Sequence, residues 1–84
     1  MYYTYVLLSK KDDNFYIGFT KDLKNRFRKH QLGKVYSTKL RQPLILIYYE
    51  ACLNKIDAAR REKYFKSGQG KRSLKNRLKF YLKD

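Results

Sequence analysis

Between Phe15 and His30 the hydrophobic pattern changes period, and that change limits the folds open to the chain. Phe15, Ile17 and Phe19 alternate with Tyr16 and Gly18, the two-residue period of a half-buried strand. From Leu23 the apolar spacing lengthens to that of Leu23 and Phe27, which is helical. Thr20 offers an N-cap hydroxyl, and Asp22 falls in the first turn, where the helix dipole favours an anion. A strand that runs straight into a helix delivers a strand tyrosine, Tyr16, and the helix polar groups to one neighbourhood.

Two of those polar groups are Arg26 and His30. At 3.6 residues per turn, Arg26 lies about 60° from Leu23 around the axis and His30 about 40° from Arg26. Both flank the face that must be buried. Taken alone, they read as a basic helix whose arginine stem covers apolar surface while its histidine packs at an edge.

The rest of the chain supplies the partners. Tyr2 to Ser9 is rich in aromatic and β-branched residues and reads as a first strand, and Lys10 to Asn14 is turn chemistry, so Phe15 to Phe19 returns antiparallel. The loop length leaves the hairpin register open, and with it whether Tyr5 and Tyr16 share a face. The helix ends near Gly33. Lys34 to Gln42 has no period but carries Lys34, Lys39 and Arg41 beside Ser37 and Thr38, a composition suited to holding a phosphate backbone or to a solvated connector. Leu44 to Glu50 is nearly continuously apolar, which suits a strand covered on both faces and predicts the centre of the sheet.

Asn54, with Asp57 three residues on, predicts a helix from Lys55 to about Ser67. On its wheel Phe65, Ala58 and Ala59 make a small, apolar side, and Glu62 falls between Ala58 and Ala59. A carboxylate buried there is costly unless it is paired or bound to a metal. Either a salt bridge to a nearby cation or a metal ion answers that need. Ser67 to Gly70 predicts a break, and Leu74, Leu78 and Leu82 mark a last amphipathic helix studded with lysine and arginine.

Length and charge bound the function. At 84 residues the chain makes one domain, residues 1–84, with a small core. It carries 21 basic against 7 acidic residues, a net charge of +14, so polyanions are the leading partners and affinity should fall with salt. Of its 9 tyrosines and 5 phenylalanines most belong to core and strands, which leaves a few to stack on bases. Cys52 is the only cysteine and His30 the only histidine, which excludes an internal disulfide and a zinc finger. The apolar runs are too short to span a membrane, and the N-terminus has no basic start followed by a cleavage site, so the expected location is cytoplasmic.

Tyr16-Ile17-Gly18, with Arg26 ten residues after the tyrosine and His30 four beyond that, resembles the core of the GIY-YIG nuclease superfamily. Tyr3-Thr4-Tyr5 stands where the other half of that motif ends, with Tyr5 in the tyrosine position and Tyr3-Thr4 in place of Gly-Ile. The likeness covers nearly the whole chain and is greatest to the small stand-alone bacterial members. It implies an α/β fold, a GIY-YIG-like single domain with a three-stranded antiparallel sheet flanked by helices.

The resemblance also implies a function and a set of roles: a divalent-metal-dependent DNA endonuclease that hydrolyses phosphodiester bonds, nicking one strand per event, in DNA repair or processing. Glu62 matches the family glutamate on the helix after the third strand and would be the protein ligand of Mg²⁺ or Mn²⁺. Arg26 would hold a phosphate oxygen through its planar fork. Tyr16 would be the base; a free phenol titrates at about 10, so it needs cations or the metal beside it. Tyr5 would orient the water or the attacked phosphate, His30 would support proton transfer, and Gly18 would let the strand end approach the helix or the DNA backbone. Which of Tyr5, Tyr16 and His30 is the base stays open. Lys24, Lys34, Lys39 and Arg41 are the candidate nucleic-acid contacts. Two other readings use the same charge: a nucleic-acid-binding module of this fold with little activity, and an RNA-directed basic protein.

Overall fold

In the computed structural model, which describes residues 1–83, the order of elements follows the pattern changes in the sequence. Strands β1 (Tyr2–Ser9) and β2 (Phe15–Thr20) form a hairpin, followed by helix α1 (Leu23–Gln31) and strand β3 (Leu44–Cys52). Three helices close the chain: α2 (Lys55–Lys66), α3 (Gly68–Arg77) and the short α4 (Lys79–Leu82). The sheet is wholly antiparallel, in the order β2-β1-β3.

The central strand is therefore β1, and β3 lies at an edge, contrary to the expectation from its apolar run. Six consecutive residues of β1, Thr4 to Ser9, are buried, whereas β3 leaves Ile45 and Tyr49 exposed. An apolar run records which side chains tolerate burial, not how many neighbours a strand acquires. What places β1 at the centre includes its two buried hydroxyls. Thr4 donates to the Ala58 carbonyl of α2 at 2.7 Å and Ser9 to the Arg41 carbonyl at 2.6 Å, so covering both faces leaves no polar group unsatisfied.

Register sorts the side chains into two cores. Tyr5 pairs with Gly18 and Leu7 with Tyr16, so Tyr5 and Tyr16 lie on the same face, the one covered by α1. There Tyr5, Leu7 and Leu44 pack with Leu23, Phe27, Tyr16 and Leu46. On the other face Val6 and Ile17 meet Phe65 of α2 and Leu74 of α3. A bulge at Ile47, where the β1–β3 register shifts between Val6 and Leu7, turns both Ile47 and Tyr48 toward this second core.

Three local expectations need correction. The N-cap of α1 is Asp22, which accepts from the Asn25 amide, while the Thr20 hydroxyl is taken up in a turn with the Asp22 amide at 3.1 Å. Ser67 to Gly70 is no loop. Ser67 alone breaks the helix, ending α2 and accepting from the Gly70 amide to cap α3. A Cβ on Gly70 would run into the Tyr64 carbonyl, so the sharp α2–α3 corner needs glycine there. Finally, the last amphipathic stretch is interrupted at Leu78, which separates α3 from α4.

Candidate active site

The hairpin register and the amphipathic seam of α1 together build a polar cluster. Leu23 and Phe27 anchor α1 to the sheet, and the flank of the helix turned toward Tyr5 and Tyr16 carries Arg26 and His30. Tyr5 is fully buried, and its hydroxyl lies 2.8 Å from His30 Nε2 and 3.4 Å from Arg26 Nε. His30 is also fully buried, with its Nδ1 at 2.7 Å from the Thr38 hydroxyl. Arg26 can only donate, so the Tyr5 oxygen accepts from it. A neutral imidazole has one donor and one acceptor nitrogen, and His30 uses both, bridging the Tyr5 and Thr38 hydroxyls.

Electrostatics agree with a neutral ring. Burial, and then the Arg26 charge, push His30 from its ordinary 6.5 down to about 4, so the ring is neutral at physiological pH. Burial pushes the Tyr5 phenol up. The Arg26 hydrogen bond pulls the other way, and the acidic groups of Tyr16 and Glu62 add to the upward push. Tyr5 is neutral here, and its fully buried hydroxyl is a joint that fixes Arg26 and His30 relative to each other. His30 likewise has both nitrogens engaged.

Gly18 makes this joint possible. A Cβ at that position would overlap Cζ and Oη of Tyr5 and lie 2.7 Å from Cε1, so the Tyr5 ring rests in the space that any other residue would fill. The close approach that Gly18 permits is to a buried tyrosine, not to the helix or to DNA.

Tyr16 is half-buried. Its ring meets His30 edge-on at 5.2 Å and lies 6.4 Å from the Tyr5 ring, and its hydroxyl accepts from Ser37 at 3.2 Å. Because Ser37 donates to this oxygen, the Tyr16 proton points elsewhere. Arg26 is half-exposed and feels both tyrosines. Glu62 is not sunk in the middle of an apolar face. Ala58 and Phe65 take the buried positions of α2, and Glu62 keeps 26 % of its side chain accessible, with Oε2 3.1 Å from Lys66 one turn on. Its charge still reaches Tyr5. The accessible members of the cluster are thus Tyr16 and Arg26, backed by the buried series Tyr5, His30, Thr38; Glu62 stands on α2, and its charge at Tyr5 is what connects it to them.

The remaining candidates divide. Lys24 and Lys34 are exposed, and Lys39 lies over the ring of the exposed Tyr36 at 5.0 Å. Arg41 is not a free cation: it pairs with Asp12 at 2.7 Å and donates to the Asn14 and Phe15 carbonyls, pinning the hairpin turn to the loop after α1. Thr38 is the residue that sequence reasoning placed wrongly, as a phosphate-facing hydroxyl. Its only advance signal is that a buried imidazole needs a partner on each nitrogen.

Among the described residues no group of three His, Cys, Asp or Glu side chains could together cage a metal ion, and no helix is long and apolar enough to cross a membrane. A single half-exposed carboxylate fits a hydrated hard cation. Magnesium and manganese favour oxygen ligands, and magnesium commonly keeps several waters beside one carboxylate and a phosphate.

Comparison with known proteins gives the family. The family model described as the GIY-YIG catalytic domain matches residues 1–77. A UPF0213 protein of Limosilactobacillus reuteri is 47% identical over 68 residues, covering 77% of this chain and 70% of the relative. One from Lacticaseibacillus paracasei is 39% identical over 84 residues, covering 99% of this chain and 88% of the relative. The UPF0213 protein YazA of Bacillus subtilis is 42% identical over 57 residues, 67% of this chain and 58% of the relative. No solved structure matches the chain.

Proposed function

The chain belongs to the GIY-YIG catalytic domain family, a nuclease family, and on that premise we propose that it is a divalent-metal-dependent DNA endonuclease that nicks one strand per event, in DNA repair or processing. The observation that carries the reading is the Tyr5 hydroxyl. It holds Arg26 at 3.4 Å and His30 at 2.8 Å on the flank of α1 beside Tyr16, in a chain with a net charge of +14. A fully satisfied buried polar chain of this kind sets a charged group in position before any substrate arrives.

In this reading Arg26, its Nε occupied by Tyr5, turns its terminal nitrogens to a non-bridging phosphate oxygen. Tyr16, once its phenol proton has left to solvent, takes the proton of the attacking water on an oxygen that also accepts a hydrogen bond from Ser37. Tyr5, His30 and Thr38 stay out of the chemistry and hold Arg26 and Tyr16 in place. Glu62 would hold Mg²⁺ or Mn²⁺, which when bound supplies charge neutralisation at the phosphoryl and leaving oxygens. With one such ion and one base, a single scissile phosphate is served at a time.

Supercoiled plasmid is the direct test. The wild type should convert it to the open circle with Mg²⁺ or Mn²⁺ and not with a chelator, and Tyr16→Phe and Glu62→Ala should each lose nicking while retaining DNA binding. A wild type that binds DNA and never nicks it would leave only a binding module of this fold. Stronger competition by structured RNA than by DNA at fixed salt would redirect the substrate to RNA, because the electrostatic contribution is common to both.

A further inference from the structure

Helix α1 has two flanks, and the polar cluster uses only one. Lys24, Arg28 and Gln31 recur at helical spacing on the other side of the Leu23–Phe27 seam, and with β3 they enclose an open groove of about 1040 Å³. Leu46 and Phe27 line it, and Tyr3 and Tyr49 stand in it. Tyr49 is 53% exposed, and Tyr3 meets it edge-on at 6.1 Å and 62°, which fixes the plane of its ring. Lys24 and Arg28 are exposed at the rim. The one carboxylate of the groove, Asp22, is spent on capping α1. The groove therefore combines an aromatic surface of fixed orientation with cations free to meet phosphates.

We propose that the groove between α1 and β3 binds an unpaired stretch of DNA, with a base stacked on Tyr49 and the flanking phosphates against Lys24 and Arg28. An aromatic face is of use only to a base whose own face is free. Within a duplex each base is already stacked on both sides, whereas an unpaired base has a face to offer. A rim of lysine and arginine beside an aromatic platform is the combination that holds single strands, cations tracking the backbone and rings taking the bases. The proposal rests on the reading that the substrate of this chain is DNA, and not on cleavage.

Fluorescence anisotropy in the presence of a chelator tests it without catalysis. A labelled ten-nucleotide thymidylate strand and a ten-base-pair duplex are titrated with the wild type and with Tyr49→Ala, Tyr49→Phe and Arg28→Ala. Stacking contributes about 1–3 kcal/mol per base, so Tyr49→Ala should weaken the single strand roughly five- to a hundredfold and the duplex less than twofold. Tyr49→Phe keeps the ring and should bind both as the wild type does. Arg28→Ala should weaken the single strand and lower its salt slope by about one. Urea midpoints of the variants check that the fold survives, as expected for a side chain more than half exposed. Equal affinity of Tyr49→Ala and wild type for the single strand, or an equal loss on both ligands, overturns the proposal. Its failure is distinct from that of the nuclease reading: nicking that depends on Glu62 would survive a null result at Tyr49, and selective loss at Tyr49 would stand in a protein that never nicks.

Discussion

Lowering the pH is the perturbation that tests the buried network most directly. His30 is fully buried, and burial together with the Arg26 charge takes its pKa from 6.5 to about 4. Between those values the unfolded chain binds a proton that the folded chain refuses, so stability must fall as the pH falls. The contribution is fully present above about pH 6.5 and is lost as the pH approaches 4. At about 1.4 kcal/mol per pH unit the loss over this window is about 3 kcal/mol. That is a large part of the roughly 4–12 kcal/mol expected of a domain this size.

Urea unfolding at pH 7, 6, 5 and 4.5 reads the effect, and with a slope of 1–3 kcal/mol per molar the midpoint should fall by about 1–3 M across the window. Two carboxylates also respond to acid, but lower. The Arg61 hydrogen bond holds Glu50 below the ordinary carboxylate range, and the Arg41 hydrogen bond does the same for Asp12, so their stabilisation is present above that range and disappears as the pH falls through their lowered values. Subtracting the profile of His30→Gln, which lacks the titrating ring, isolates the imidazole. Coincident slopes for the two proteins between pH 7 and 4.5 would mean that His30 is hydrated or already paired with an acid, and the neutral ring assigned to it would be wrong.

Substitutions at three positions extend the test. Gly18→Ala should cost about 1–3 kcal/mol from overpacking against the Tyr5 ring and should reduce nicking at temperatures where the protein is still folded, because the displaced ring carries Arg26 with it; calorimetry beside plasmid nicking reads both. Thr38→Val leaves His30 Nδ1 without its hydrogen-bond partner and should lower stability by about 1–3 kcal/mol, whereas Thr38→Ser should stay near wild type, as urea midpoints will show. Gly70→Ala forces the α2–α3 corner open against the Tyr64 carbonyl and should lower the melting temperature, with loss of near-ultraviolet dichroism from Tyr64 and Phe65.

The elements of this fold are close to legible in its sequence because each carries a local signal: β1 falls where aromatic and β-branched residues put it, and the start of α2 where the Asn54 cap does. Arrangement is less so, since it depends on contacts between distant segments. The hairpin loop did not determine whether Tyr5 and Tyr16 share a face; the observed register does, through a turn in which Asp13 takes a left-handed φ of 58°. The apolar content of β3 pointed to the centre of the sheet, although a strand between two others is defined by partners. Thr20 read as the N-cap and Asp22 as a first-turn anion, and the shorter-range turn at Thr20 left the cap to Asp22. Thr38 was illegible for a different reason. A hydroxyl in an aperiodic loop carries no local mark of burial, and only the second nitrogen of His30 requires it.

The row of residues across the sheet at Tyr5 ties the two flanks of α1 together. Gly18 of β2 and Tyr49 of β3 both stand directly opposite Tyr5, so one line through the central strand runs from the position that admits the Tyr5 ring to the exposed ring in the groove. Helix α1, with 9 residues, lies over that line and is only about 14 Å long. Its seam is two side chains, Leu23 and Phe27. A helix so short, held by so narrow a seam, cannot shift one flank alone: a rotation that moves Arg26 relative to Tyr5 also moves Arg28 relative to Tyr49. A strand lodged in the groove would therefore press on the same rigid body that holds the proposed phosphate-binding arginine. On the proposed reading, that shared helix would let binding on one side set geometry on the other.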